Sequence, residues 1–114
     1  MSFADGDRYL VANLIYGEAG NQPYEGQLAV GAVVMNRVRS GGYPNSIQGV
    51  ISQPGQFGPA ATGRVASILA AGPKSSCMQA AQAAINGETV IGSATHFKRA
   101  GSVNGIVIGA HVFY

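Results

Sequence analysis

The sequence has a single cysteine, no tryptophan and few charged residues. Charged side chains make up 11% of its 114 residues, while hydrophobic residues make up 46%. An average soluble domain is roughly 25% charged, so this composition excludes disorder driven by charge and low hydropathy. One cysteine, Cys77, cannot form an internal disulfide, and we expect a buried thiol.

Features of membrane insertion, nucleic-acid binding and export are missing as well. The longest apolar run, Leu28–Met35, is far shorter than the ~20 residues that span a bilayer. The basic residues are spread along the chain with only one adjacent pair, Lys98 and Arg99, so no nucleic-acid partner is expected. Residues 1–7 are small and acidic and do not resemble a signal peptide, which leaves the export route open.

What the sequence does contain is helical patterning. At this length we expect one domain, residues 1–114, acting as a monomer. A first helix is predicted to end at about Ala19, and a second to run from Pro23, in its first turn, to Arg39 before Ser40-Gly41-Gly42. The second is apolar nearly all round, which predicts the most buried helix. Further helices are predicted around Ser46–Ile51, Val65–Ala71 and Ser75–Ile85.

The pattern changes near the C terminus. Three β-type segments, Thr95–Phe97, Ile106–Ile108 and Val112–Tyr114, are separated by glycines and predict a small antiparallel sheet. The fold class is therefore α+β, mainly α-helical with a small antiparallel β element. The proline- and glycine-rich segment from Tyr43 to Gly63 predicts a long binding loop.

Glu18 is the carboxylate that local structure does not explain. At roughly 100° per residue, Glu18 falls on the apolar stripe of the first helix, between Leu14 and Ile15. A glutamate against aliphatic side chains loses hydration in its charged form, which favours the neutral acid that a general acid requires. The alternative is a glutamate at the helix end that bends out to solvent, and position alone does not separate the two.

Other chemistry is poorly supported. His96 and His111 lie in predicted strands without enough further ligands for zinc, so we expect no metal and no cofactor. No nucleophile elbow and no phosphate-binding loop is present. Aromatic residues in loops or at strand ends offer faces for sugar rings, although filling the core is the ordinary role of phenylalanine; they are Tyr43, Phe57, Phe97 and Tyr114.

Several motifs, in this order along nearly the whole chain, resemble the SleB/CwlJ family of cell-wall hydrolases. They are Leu14-Ile15-Tyr16-Gly17-Glu18-Ala19, Pro23-Tyr24-Glu25-Gly26-Gln27-Leu28-Ala29-Val30, Asn36-Arg37-Val38, Tyr43-Pro44-Asn45-Ser46-Ile47, Gly55-Gln56-Phe57 and Ile108-Gly109-x-His111-x-Phe113-Tyr114. The resemblance implies a fold like that of lysozyme and the lytic transglycosylases. It also implies action on peptidoglycan glycan strands, in the cell wall or the spore cortex.

The resemblance assigns Glu18 as the catalytic residue. In a lytic transglycosylase one glutamate protonates the glycosidic oxygen and then removes the proton from the muramic 6-hydroxyl. Hydrolysis with two carboxylates is the alternative, with Glu25 activating water or stabilising the oxocarbenium ion. We expect substrate contacts around a cleft formed by the first helix, the Gln56-Phe57 loop and the strands, from Glu25, Gln56, Phe57, His96, Phe97 and Tyr114.

Two functions outside this class compete with catalysis. One is a non-catalytic or partner-dependent module that binds peptidoglycan, and the other is a purely structural helical domain. Glu18 on an apolar face favours the enzyme, because a pure binder gains nothing from burying an acid. A structural domain would leave both Glu18 and the Gln56-Phe57 loop unexplained.

Overall fold

The computed structural model describes residues 5–53, 75–101 and 103–114. These residues form four helices and one three-stranded antiparallel sheet, which confirms the predicted α+β architecture. The elements are α1 (Asp5–Ala19), α2 (Tyr24–Arg39), α3 (Ile47–Ile51), α4 (Ser75–Ile85), β1 (Phe97–Arg99), β2 (Ile106–Ile108) and β3 (His111–Phe113). The predicted helix Val65–Ala71 lies outside the described residues.

The core lies between α1, α2 and α4. Helix α2 is buried without interruption from Gly26 to Met35, so it is the central helix that its apolar sequence predicts. Gly31 lets the helices approach closely, because a Cβ atom there would lie 2.9 Å from the Ala84 Cβ and 3.2 Å from the Ile15 Cδ1. Cys77 is buried within α4, as expected from the sequence.

The ends of the helices follow local signals. Pro23 has φ −56° and ψ 159° and precedes α2 as its N-cap, one position before the predicted first turn. Its missing N–H costs nothing there, because the first N–H groups of a helix have no intrahelical acceptor. The Ser46 hydroxyl accepts a hydrogen bond from the Gly49 N–H at 3.0 Å and caps α3.

In the sheet, β3 is the central strand and pairs antiparallel with both β1 and β2. Two strands differ from the predicted bounds: β1 starts at Phe97 instead of Thr95, and β3 spans His111–Phe113. Thr95 is outside β1 because its carbonyl accepts a hydrogen bond from the Arg37 Nε at 2.7 Å. Strand β3 begins at His111 because Gly109, with φ 60°, forms the turn that follows β2.

Side-chain hydrogen bonds attach the sheet to both ends of α2. At the C-terminal end, Asn36 Nδ2 donates to the carbonyl oxygens of Gly92 and Ala94 at 3.0 and 2.7 Å. Before the N-terminal end, the Gln22 Oε1 accepts from the Ala110 N–H at 3.0 Å. The sheet is therefore fixed along α2, with its β2–β3 turn against the loop that follows α1.

Candidate active site

Glu18 lies one residue before the end of α1 and is half-buried. Val11, Leu14 and Ile15 on the same helix are buried in the core, so α1 is anchored up to the turn that carries the carboxylate. The side chain neither enters the core completely nor extends freely into solvent. It lies close enough to His111 of β3 for its charge to act on the imidazole.

His111 is half-buried, and its environment favours the neutral ring. Desolvation lowers the pKa of His111 most, the Glu18 carboxylate raises it, and the Arg99 guanidinium lowers it further. The net direction is downward, so the imidazole is uncharged at neutral pH. Its Nδ1 is buried, and no residue of the described chain forms a hydrogen bond with it.

Three aromatic rings share one side of the sheet, which we call the Phe97 face (Phe97, His111 and Phe113). The Phe97 ring meets the His111 ring edge-on, with centroids 5.4 Å apart, and stacks on the Phe113 ring at 5.7 Å. Phe113 is buried, whereas Phe97 and His111 are partly exposed. This face packs on the helical core through Phe113 and Phe97, and the Phe97 ring is partly exposed.

A second aromatic group lies on the opposite side, the Tyr114 face (His96, Lys98 and Tyr114), because successive strand residues point to opposite faces. The His96 and Tyr114 rings are stacked 5.3 Å apart at an interplanar angle of 11°. Lys98 Nζ lies 6.0 Å from the Tyr114 ring centroid. The Tyr43 hydroxyl lies 3.3 Å from the His96 Nε2 and joins this face to the segment after α2.

Arg37 lies against Tyr43, the residue that joins the Tyr114 face to the segment after α2. Its side chain is buried, and its guanidinium carbon lies 5.0 Å from the centroid of the Tyr43 ring. Burial lowers the pKa of Arg37, and nearby Tyr43 and Tyr114 raise it. An arginine stays protonated despite such a shift, so a buried positive charge lies beneath these tyrosines.

The structure divides the predicted site residues between two places. Phe97 shares a face with His111, beside Glu18, whereas His96 and Tyr114 lie on the opposite face of the sheet. Glu25 is exposed in the first turn of α2. Gln56 and Phe57 lie outside the described residues, so their predicted contacts remain predictions.

Sequence reasoning missed one member of this site, His111. The sequence favours a core or hydrogen-bonding role for this histidine over a zinc ligand, and neither interpretation places it in the site. Within the described residues no group of three His, Cys, Asp or Glu side chains could hold a metal ion. The alternation in β3 was an available signal, because it puts His111 on the same face as the apolar Phe113.

No helix in the described part of the chain is long and apolar enough to cross a membrane.

Comparison with known proteins agrees with this architecture. A family model described as Cell Wall Hydrolase matches residues 21–114. The chain belongs to the cell wall hydrolase family. Among curated members, the spore cortex-lytic enzyme of Bacillus cereus is 38% identical over 95 residues, which are 83% of this chain and 35% of that protein. The spore cortex-lytic enzyme of Bacillus subtilis strain 168 is 41% identical over 85 residues, 75% of this chain and 27% of that protein.

Two solved structures of this cell wall hydrolase family have the same fold. The catalytic domain of the Bacillus cereus SleB protein gives a TM-score of 0.84 at 33% identity, over 98% of this chain and 91% of that one. The catalytic domain of the germination-specific lytic transglycosylase SleB from Bacillus anthracis gives 0.84 at 32% identity, over 98% and 96%. The chain spans about a third of the length of the curated relatives but nearly all of these catalytic domains.

Proposed function

We propose that this chain cleaves peptidoglycan glycan strands as a lytic transglycosylase, with Glu18 as the catalytic acid and base. The observation that carries the proposal is the half-buried Glu18 at the end of α1, beside the partly exposed Phe97 face. Membership of the cell wall hydrolase family and similarity to SleB catalytic domains support it. The site of action would be the cell wall or the spore cortex.

The proposed reaction uses the Glu18 carboxyl group twice. The protonated acid first donates its proton to the glycosidic oxygen between N-acetylmuramic acid and N-acetylglucosamine, and the glycosidic bond breaks. The resulting carboxylate then takes the proton from the muramic 6-hydroxyl, whose oxygen attacks the anomeric carbon. The product has a 1,6-anhydro end, and Glu18 regains its proton, so one carboxylate completes the cycle.

Sugar contacts are proposed on both faces of the sheet. Phe97 is closest to the catalytic end of α1 and offers an aromatic surface for a sugar ring. His96 and Tyr114, held by Tyr43, would bind a more distant part of the glycan, where Lys98 adds a positive charge. Gln56, Phe57 and Glu25 complete the proposed binding set.

Mass spectrometry of muropeptides released from purified peptidoglycan tests this function. Wild-type protein should release fragments with 1,6-anhydro ends, and Glu18→Gln should release almost none. New reducing ends instead of anhydro ends would overturn the transglycosylase assignment and favour hydrolysis with a second carboxylate such as Glu25. Binding of glycan strands without any release would overturn catalysis and leave a binding module.

Vegetative and spore-cortex peptidoglycan should be digested in parallel. The curated relatives are named spore cortex-lytic enzymes, so faster release from cortex would extend that substrate to this chain. Equal rates on the two substrates would show that cortex-specific features are not recognised.

A further inference from the structure

We propose that the Tyr114 face binds the acidic stem peptide of peptidoglycan, with Lys98 as the cation that pairs with a carboxylate of that peptide. The stem peptide is the short chain attached to the lactyl group of N-acetylmuramic acid. The proposal rests on the proposed function, because it takes peptidoglycan as the substrate. It adds a recognised group that lies outside the glycan strand, next to the sugar that His96 and Tyr114 would bind.

The rings of His96 and Tyr114 form a fixed platform. The His96 N–H donates to the Tyr114 carbonyl at 3.0 Å, and the Tyr114 N–H donates to the His96 carbonyl at 3.0 Å. Each nitrogen of the His96 ring faces a hydroxyl, because Nδ1 lies 3.1 Å from the Thr95 Oγ1 and Nε2 lies 3.3 Å from the Tyr43 hydroxyl. Side chains that are already held in place lose little freedom when a ligand binds.

This platform is nevertheless open to solvent. His96, Lys98 and Tyr114 are all exposed, and Tyr114 keeps 42% of its surface accessible. Phe113, on the opposite face of the sheet, is buried in the core. The contacts within the Tyr114 face therefore fix its rings and still leave aromatic surface for a ligand.

Lys98 places a positive charge beside the platform. Its Nζ lies 6.0 Å from the centroid of the Tyr114 ring, which is the outer limit of cation–π attraction. An ammonium group has three donors, so Lys98 can approach the ring and still donate to a carboxylate. Arg37 adds a second positive charge, buried against the Tyr43 ring.

The segments that build this face contain no acidic residue. The five carboxylate side chains of the sequence are those of Asp5, Asp7, Glu18, Glu25 and Glu88. None of them lies in residues 26–87 or 89–114, which supply Arg37, Tyr43 and the three members of the Tyr114 face. These segments bring cations to the face without a side-chain carboxylate of their own, so the face is complementary to a negatively charged ligand.

The chemistry of peptidoglycan indicates which group supplies that negative charge. In a strand that carries peptides, the lactyl carboxyl of N-acetylmuramic acid is consumed in the amide bond to the first residue, an alanine. The first free carboxylates belong to the second residue, a glutamate. Two extended residues span ~7 Å, a length comparable to the 6.0 Å between the Tyr114 ring centroid and the Lys98 Nζ. A sugar on the platform would therefore bring this glutamate to Lys98.

Amide NMR spectra of the wild-type protein, titrated with N-acetylmuramyl-L-alanyl-D-glutamate, test the proposal without any need for cleavage. The amide resonances of His96, Lys98 and Tyr114 should shift. The same compound with both glutamate carboxyls amidated should bind ~2-fold to 5-fold more weakly, as expected for an exposed ion pair. Equal affinities for the acid and the amide, or shifts confined to other residues, would overturn the proposal.

N-acetylmuramic acid without a peptide separates the two sources of a carboxylate. Its lactyl carboxylate is free, so it carries a negative charge next to the sugar. We expect it to bind no more tightly than the amidated compound. If it binds as tightly as the acidic dipeptide compound, the lactyl group explains the binding and the assignment to the stem peptide is overturned.

Lys98→Met is the decisive variant, because it keeps most of the alkyl chain and removes the charge. Its affinities for the acidic and amidated compounds should become equal, whereas its affinity for the amidated compound should stay within 2-fold of wild type, as a rough bound. Arg39→Gln is the matched control, since it also removes one exposed positive charge, at the end of α2, and should retain the preference. Equal losses in both variants would indicate attraction by net charge alone and overturn the role of Lys98.

Cleavage assays connect this binding to the proposed function. Strands that carry stem peptides should be cleaved with a lower KM than strands from which an amidase has removed the peptides, with a similar kcat. Equal KM values would overturn the proposal and leave the proposed function intact. If neither substrate is cleaved, the proposed function fails, and the NMR titrations still decide whether the Tyr114 face binds the acidic peptide.

Discussion

The helical core and the sheet of this protein are held by different interactions. Helices α1, α2 and α4 contact one another mainly through small and aliphatic side chains, with Gly31 against Ala84 at the closest point. The sheet is joined to α2 and its preceding loop by hydrogen bonds in which Asn36 and Arg37 donate to backbone carbonyls and Gln22 accepts from a backbone N–H. Its rings contact one another in pairs on two faces.

Because of this difference, the helical core and the attachment points of the sheet control different properties: the stability of the fold and the position of the strands. Apolar packing is non-directional and tolerates small adjustments, so it suits a scaffold. Hydrogen bonds depend on distance and angle, so they determine where β1 and β3 lie relative to Glu18. Changes in the core should therefore alter stability, whereas changes at the attachment points should alter the geometry of the site.

The largest effect is expected at Glu18. Glutamine has nearly the shape of the protonated acid but cannot deliver a proton, so Glu18→Gln should lower the rate ~10²-fold to 10⁴-fold with little change in melting temperature. Glu25→Gln is the matched control, because Glu25 is exposed at the start of α2; its effect should be much smaller. Release of soluble muropeptides measures both. A Glu18→Gln protein that retains wild-type activity within a few-fold would make Glu25 the leading acid.

The next effect concerns the attachment of the sheet. Asn36→Asp keeps the side-chain shape but removes both donors to the Gly92 and Ala94 carbonyl oxygens, which should cost about 1–3 kcal/mol of unfolding free energy. Amide exchange in β1 should become faster than in α1. Asn45→Asp makes the same change at an exposed residue and should be nearly neutral. Equal denaturation midpoints for the two variants would contradict the role given to Asn36.

A smaller effect is expected where the helices touch. Gly31→Ala places a methyl group 2.9 Å from the Ala84 Cβ. Overpacking typically costs about 1–3 kcal/mol, and the better helix propensity of alanine offsets up to ~1 kcal/mol of it. Gly6→Ala adds the same methyl group to α1, where no other part of the described chain lies within 4 Å of it, so it should be neutral or stabilising. Thermal unfolding compares them, and a stabilised Gly31→Ala would show that the helices can separate at no cost.

The smallest effect is expected on the Tyr114 face. Tyr43→Phe keeps the ring above Arg37 but removes the hydroxyl that lies 3.3 Å from the His96 Nε2. A partly exposed hydrogen bond of this kind contributes about 0.5–1.5 kcal/mol at most, so the melting temperature should barely change. Affinity for soluble glycan fragments should fall a few-fold if His96 binds sugar. An unchanged affinity would remove the Tyr114 face from the substrate path.

Local patterns were sufficient for the helices that the structure describes, and they singled out Glu18 as the candidate acid. The apolar run of α2 predicted the central helix, and the helical wheel separated Glu18 from the other acidic residues. The ordered motifs indicated the family, which the comparison with known proteins confirms. These features depend on residues close together in the chain, where periodicity and capping act.

Only the tertiary structure decided which distant residues meet. Strand bounds moved because Thr95 bonds to Arg37 of α2 and Gly109 turns against Gln22, two contacts that no local pattern contains. The pairing of β1 with β3 placed Phe97 beside His111 and sent His96 and Tyr114 to the other face. The electrostatic influence of Glu18 on His111 has the same origin, because long-range packing, not local periodicity, brings the loop after α1 and the start of β3 together.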